Sequence, residues 1–252
     1  MIDLKDKVAI VTGAGQGIGK ATALELAKAG AAVAVCDKAE NIEEVKCEID
    51  ALRKEAFSVR MDVSKWEDTE RMAKQVMERF GRINILVNNA GIVMKRKDGT
   101  RLSILEISDS DFDAIINTNL KGVFNCCKAV IPFMVKQRSG RIVNLASATA
   151  ITGDVSAAPY VASKAGVVSM TKALAREFGP YNIHVNSVSP GMVLTQMHKL
   201  TPQTAIQTAR STAPLGRIAE PFDVARLILH LVSDDYFVTG QTVVIDGGRT
   251  MY

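Results

Sequence analysis

Tyr160 and Lys164 stand four residues apart inside a stretch of helical periodicity, which places a phenol and an ammonium on one face, one turn from each other. A phenol, with an ordinary pKa of about 10, is a poor base in neutral water. A fixed ammonium beside it favours the phenolate and brings proton exchange with a substrate oxygen within range. Thirteen residues before Tyr160, at the end of an apolar β-branched run, comes Ser147, whose hydroxyl can polarise the same oxygen from the carboxyl edge of a sheet. A tyrosine and a lysine at this spacing are, alone, more often a core residue and a solvated one. With Ser147 and the glycine turn described next, they read as a proton-exchanging pair.

The first apolar run leads directly into Thr12-Gly13-Ala14-Gly15-Gln16-Gly17-Ile18-Gly19, after which helical periodicity begins. Backbone N–H groups at a helix start attract anions. Glycine is needed because a Cβ in the turn would hold a pyrophosphate away from the backbone, and a Cβ at the last position would push the helix off the strand. Eighteen residues after Gly19, Asp37 ends the second apolar run. There a carboxylate accepts hydrogen bonds from adenosine ribose hydroxyls and repels a 2′-phosphate, which favours NAD over NADP; the adjacent cation Lys38 partly offsets that repulsion.

Elements must exist to position these groups. Apolar β-branched runs at 8–11, 32–36, 57–61, 83–87, 142–145, 183–188 and 242–245 alternate with helical periodicity at 18–29, 41–55, 66–80, 111–134, 160–178 and 221–232. Near-continuous apolar strands require a sheet covered on both faces, and alternation with helices requires parallel strands joined by right-handed crossovers. The expected fold is α/β, a doubly wound parallel sheet of Rossmann type with about seven strands, formed as a single domain over residues 1–252. Gly30, Gly81 and Gly179-Pro180 are expected to close helices, and Pro221 to open one after Glu220.

The Gly-x-x-x-Gly-x-Gly spacing from Gly13 to Gly19, with Asn88-Asn89-Ala90-Gly91 and Tyr160-Val161-Ala162-Ser163-Lys164, resembles the classical short-chain dehydrogenase/reductase family over essentially the whole chain. The resemblance implies a nicotinamide cofactor. Uncharged Gln16, where NADP-binding members often carry a basic residue, again favours NAD. By the same resemblance, Asp62 and the backbone at Val63 would meet the adenine, and Asn89, Ala90 and Gly91 the middle of the cofactor. Pro190-Gly191, with Val193 and Thr195, would hold the nicotinamide carboxamide. Lys164 would lower the Tyr160 pKa and bond the nicotinamide ribose. Asn119 would complete a proton relay through water, although by residue type alone it is a polar group of a helix interior bonded to nearby backbone. In oxidation, Tyr160 would accept the alcohol proton while Ser147 holds the oxygen.

These residues lead to an NAD-linked dehydrogenase of a secondary alcohol, polyol or sugar, or a reductase of its ketone. The alternative is a 3-oxoacyl-(acyl-carrier-protein) reductase, with Arg138 and Arg176 available to an acidic carrier and Asp37 speaking against it. A dinucleotide-sensing protein without turnover would not need the set Asn119, Ser147, Tyr160 and Lys164. Substrate choice is expected in 192–213, where Met192, Val193, Leu194, Met197 and Leu200 form either an apolar wall or ordinary helix packing. Four cations in Met94-Lys95-Arg96-Lys97-Asp98-Gly99-Thr100-Arg101 either border the pocket, favouring an anionic or strongly hydrated substrate, or belong to a solvated loop.

The formal charge of +4 is spread along the chain, which gives no reason to expect nucleic acid or a membrane surface as partner. No signal-peptide pattern or bilayer-length apolar run is present, so a cytoplasmic location is expected. Four cysteines and three histidines without metal-ligand spacing argue against a metal site and for free, mostly buried thiols. The resemblance implies a homotetramer or homodimer paired through 111–134 and 160–178, with the tail at Thr250-Met251-Tyr252 crossing an interface.

Overall fold

In the computed structural model, which describes residues 2–155, 157–233 and 237–251, seven parallel strands form one sheet. They are β1 (Val8–Thr12), β2 (Ala32–Asp37), β3 (Ala56–Arg60), β4 (Ile85–Asn88), β5 (Gly140–Leu145), β6 (Ile183–Pro190) and β7 (Thr242–Ile245). Their spatial order is β3-β2-β1-β4-β5-β6-β7, so the chain winds outward from β1, then crosses back to begin the other half at β4. Connections on either side of β1 and β4 therefore leave in opposite directions and open a crevice at the carboxyl ends of these strands.

The strands read as unbroken apolar runs because both faces are covered. Ile10, Leu86 and Ile142 pack beneath α3 (Trp66–Phe80), α5 (Gly122–Gln137) and α7 (Ala158–Phe178), through Met72, Val130 and Val167. Their neighbours Ala9, Val11 and Val143 face the opposite layer, α1 (Gly17–Lys28), α2 (Ile42–Ala51) and α9 (Pro221–Leu231), through Leu26, Ile49 and Ile228. Three of the four cysteines, Cys36, Cys126 and Cys127, are buried free thiols; Cys47 is exposed. No helix among the described residues is long and apolar enough to cross a membrane.

Several local expectations need correction. The helical stretch anticipated at 111–134 begins instead at α4 (Asp109–Ile116), where Ser108 and Asp111 form a reciprocal capping box. It is then broken by a π-helical turn at Asn117–Lys121, in which the Gly122 N–H donates to the Asn117 carbonyl five residues back. Gly81 ends α3 at φ 72° as expected. Gly179-Pro180 also closes its helix, α7 ending at Phe178 with Gly179 as C-cap, but without a left-handed glycine: with Pro180 fixed at negative φ, the chain turns through a 3₁₀ segment at Gly179–Tyr181, and Asn182 at φ 59° takes the left-handed position. Two helices, α6 (Thr149–Thr152) and α8 (Gln203–Ser211), lie where no helix is evident in the sequence. Of the tail segment at 250–252, Tyr252 lies outside the described residues.

Candidate active site

A cleft of about 280 Å³ lies at the carboxyl edge of the sheet, floored by the turn between β1 and α1. The turn is clamped from the other half of the sheet. Asn89 Nδ2 donates to the carbonyls of Thr12 (3.0 Å) and Gly13 (2.9 Å), and Thr12 Oγ1 accepts the N–H groups of Asn89 (3.1 Å) and Ala90 (3.2 Å). Gly13 sits at φ +63°, and a Cβ on it would lie 2.8 Å from Ala90 Cα; one on Gly19 would lie 2.1 Å from the Gly13 carbonyl oxygen. Gly19 is thus a packing residue that lets helix meet strand. At the start of α1 no side chain caps the backbone donors and no acidic residue occupies the first turn, so Gly17 and Ile18, both lining the cleft, present an anion-binding helix terminus.

At the end of β2, Asp37 lines the cleft while also bracing it: Oδ2 accepts the Gly15 N–H at 3.0 Å and Oδ1 the Ala39 N–H at 3.1 Å. Asn41 Nδ2 donates to the Gly15 carbonyl at 2.8 Å, leaving the buried Asn41 Oδ1 without a hydrogen-bond partner. A carboxylate beside an orphaned acceptor suits hydroxyl donors and not a phosphate, and a Cβ on Gly15 would come within 2.5 Å of that acceptor. An uncapped helix terminus next to two hydroxyl acceptors fits a dinucleotide. Asp62 and Val63 line the same end; Asp62 Oδ1 accepts the backbone (2.9 Å) and hydroxyl (2.7 Å) of Ser64.

At the other end stand Ser147, Tyr160 and Lys164, together with Ala90, Gly91, Pro190, Gly191, Val193 and Thr195. Ser147 follows β5 by two residues, held in line by further bonds to β6, from Ala146 N–H to the Val188 carbonyl (2.8 Å) and from Ala148 N–H to the Pro190 carbonyl (2.9 Å). Burial raises the Tyr160 phenol above its ordinary pKa, against the lowering effects of a hydrogen bond with Ser147 and of the Arg101 charge; Asp154 adds to the rise. Lys164 Nζ donates to the Leu145 carbonyl at 2.6 Å and lies 5.9 Å from the Tyr160 ring centroid, while burial lowers its pKa to about 8. The expectation that Lys164 lowers the Tyr160 pKa is therefore not met in the protein alone, because the ammonium is turned to a carbonyl and solvation loss dominates the phenol. Tyr160 remains a protonated phenol at neutral pH, a proton donor.

Asn119 does not line the cleft. It lies fully buried in the π turn, where Oδ1 accepts the Ile92 N–H (2.8 Å) and Nδ2 donates to the Ile92 carbonyl (2.9 Å) and Ser163 Oγ (3.2 Å). It thereby fixes the segment following Gly91, and a Cβ on Gly91 would lie 3.3 Å from Asn119 Oδ1 and 3.4 Å from Lys164 Nζ. Gln16 lines the cleft; Gly15 shapes it from behind.

The cleft also contains Cys36, Met61, Ile92, Thr118, Leu145, Ala146, Gln196 and His198, none singled out by sequence. Cys36, Met61, Leu145 and Ala146 are reached by extending the strand-end rule one position further. Gln196 and His198 belong to a 3₁₀ turn, Gln196–His198, with no local signal. Of the proposed apolar wall, Val193 and Met197 line the cleft, whereas Leu194 and Leu200 are exposed. Arg138 caps α5 two residues before β5 and Arg176 lies in the last turn of α7, so both stand at the sheet edge opposite the cleft within the chain.

A family model described as Enoyl-(Acyl carrier protein) reductase matches residues 13–250. A 3-oxoacyl-(acyl-carrier-protein) reductase FabG of Thermotoga maritima is 44% identical over 248 residues, covering 97% of this chain and 98% of the relative. A (2S)-((R)-hydroxy(phenyl)methyl)succinyl-CoA dehydrogenase subunit BbsD of Thauera aromatica is 42% identical over 251 residues, covering 99% and 98%. The crystal structure of gox2181 superimposes with a TM-score of 0.93 at 32% identity, covering 98% of this chain and 96% of that one.

Proposed function

The chain belongs to the classical short-chain dehydrogenase/reductase family, nicotinamide-dependent oxidoreductases of CH–OH and keto groups, and from that premise we propose that it reduces the keto group of a 3-oxoacyl thioester with NADH. Relatives named as 3-oxoacyl-(acyl-carrier-protein) reductases, at 44% and 40% identity, support the thioester alternative over the polyol or sugar substrate favoured by sequence. The relative named for a succinyl-CoA derivative is also a thioester enzyme, at 42% identity. Enzymes of the first name usually draw on NADPH; Asp37 and the orphaned Asn41 acceptor support NADH here.

The observation that carries the reading is the protonated phenol of Tyr160, buried beside Ser147 at the end of a cleft floored by the glycine turn. When bound, the nicotinamide supplies the hydride. Ser147 holds the substrate oxygen, and Tyr160 gives it the proton that turns the developing alkoxide into alcohol. Lys164, one turn along α7, carries positive charge below pH of about 8 and bonds the cofactor ribose when it leaves the Leu145 carbonyl, so its charge then faces the phenolate left after proton transfer. Asn119 keeps the Gly91–Ile92 backbone in place beside Lys164.

The test is a panel of acetoacetyl-CoA, sugars and polyols with NADH, NADPH and their oxidised forms. Tyr160→Phe is expected to lower kcat by about 10³-fold while NADH affinity stays within about twofold. Near-normal turnover in that variant, or sugars outrunning the thioester in the wild type, overturns the reading.

A further inference from the structure

Three basic side chains from two segments distant in sequence converge at the mouth of the cleft. Lys95 and Arg101 pair across an antiparallel bridge that closes the hairpin at 95–101. The hairpin is seated on the segment after β6: Lys95 Nζ donates to the Met197 carbonyl at 2.7 Å and to Thr201 Oγ1 at 3.1 Å. Gly99, at φ +83°, approaches Leu200 so closely that a Cβ would fall 1.6 Å from its carbonyl oxygen. This seating brings the Arg101 guanidinium 6.0 Å from the Tyr160 ring centroid. It also brings both cations against His198, which lines the cleft. Burial, then Lys95 and Arg101, depress the His198 imidazole to about 4, so it is neutral, and its enclosed Nδ1 has no hydrogen-bond partner.

The carboxylate facing this cluster is Asp154, whose Oδ2 lies 2.7 Å from Arg101 Nη1. The side chains keep exposures of 28% for Arg101 and 32% for Asp154, but Arg101 Nη1 is itself enclosed, so a ligand reaches it by taking the place of the Asp154 carboxylate. Arg96 is engaged elsewhere, with Glu106, and Lys97 is exposed. An arginine next to the proton donor, backed by a second cation and held by a rim carboxylate, has the chemistry of an anion receptor with its own internal counter-ion. A guanidinium fork matches a carboxylate in two parallel hydrogen bonds, and replacing one carboxylate by another leaves no buried charge unpaired.

We propose that Arg101, supported by Lys95 and His198, receives a free carboxylate on the substrate, displacing Asp154, so that the preferred substrate is a short 3-oxoacyl thioester whose acyl chain ends in a carboxylate. The thioester half rests on the function proposed above; the carboxylate half rests on this cluster. The closeness of Arg101 to Tyr160 restricts the acyl chain to a short one.

The experiment compares kcat/KM for a 3-oxoacyl-CoA ending in methyl and one of matched length ending in carboxylate, in the wild type, Arg101→Gln, Arg101→Lys and Asp154→Asn. Competitive displacement of a fluorescent active-site probe by glutarate is read in the same proteins. The wild type is expected to prefer the carboxylated substrate by at least about tenfold, a ratio that falls to about one in Arg101→Gln and to an intermediate value in Arg101→Lys. Asp154→Asn is expected to raise glutarate affinity about threefold or more, an effect that loss of a merely structural ion pair would not produce. Equal losses on both substrates in Arg101→Gln, or weaker glutarate binding in Asp154→Asn, overturn the receptor. If neither thioester is turned over yet glutarate binding depends on Arg101, the thioester reading falls and the receptor stands.

Discussion

The turn at the foot of the cleft and the hairpin at its mouth share a device. Gly13 and Gly99 both sit at positive φ, and a Cβ on either would run into the backbone of another segment, Ala90 in one case and Leu200 in the other. Their supports differ. The turn joins β1 to α1, and its partners are the ends of β1 and β4, residues of the core itself. The hairpin, within the long β4–α4 connection, rests through a lysine and a glycine on the surface segment 197–201 and through an arginine–aspartate pair on the turn after α6. The cofactor end of the cleft thus inherits the rigidity of the sheet, and the substrate end hangs on a few replaceable surface contacts. This allows one scaffold to keep its cofactor while changing its substrate.

That contrast is most severely tested at Gly13. Gly13→Val adds both strain at φ +63° and a clash with Ala90, and should cost about 3 kcal/mol of stability or more, with NADH affinity lowered over about 100-fold in calorimetric titration. An affinity within about threefold of the wild type would remove the turn from the cofactor site. Gly99→Ala meets an even closer obstacle, 1.6 Å against 2.8 Å, yet it should only lift the hairpin. Tryptic cleavage after Arg96 or Lys97 should accelerate about tenfold or more, while NADH affinity stays within about twofold. A fall in melting temperature matching that of Gly13→Val would erase the distinction between the two regions.

A smaller effect concerns acid. Because the folded-state pKa of His198 is depressed to about 4, the unfolded chain binds the proton more readily. Stability from this residue is fully present above the ordinary pKa of about 6.5 and is lost as pH falls towards 4. The loss should amount to about 1–2 kcal/mol once partial exposure is allowed for, and should appear first as hairpin release in proteolysis. His198→Gln should flatten that acid limb; an unchanged limb would place the acid sensitivity elsewhere.

The same two regions differ in how far they can be read from sequence. Turn, helix start and Asp37 follow one another within a single strand–helix–strand unit, so local spacing suffices for the cofactor end. Strand positions are legible because coverage on both faces makes each one a continuous apolar run. Arg101 and Asp154 meet across more than fifty residues of chain, and the seat of Gly99 is a carbonyl at Leu200; neither contact leaves a periodicity. Tyr160 and Lys164 were legible as a pair, but the direction of the lysine was not, because the Leu145 carbonyl that takes its ammonium lies on a strand nineteen residues earlier. The π turn escaped because the periodicities of α4 and α5 run together when read as a line of letters.

That turn carries one surplus residue in a single winding at Asn117–Lys121. Ordinary winding would resume if one residue were removed there, with the flanking helices keeping their seats in the core, since each turn of an α-helix needs only 3.6 residues, roughly one fewer than the widened loop holds. The amide of Asn119 would then swing off Ile92, and the backbone beside Lys164 would lose its brace in a molecule that still folds. A one-codon deletion at this spot therefore separates architecture from chemistry, and offers a natural route by which an enzyme of this design becomes a silent copy of itself.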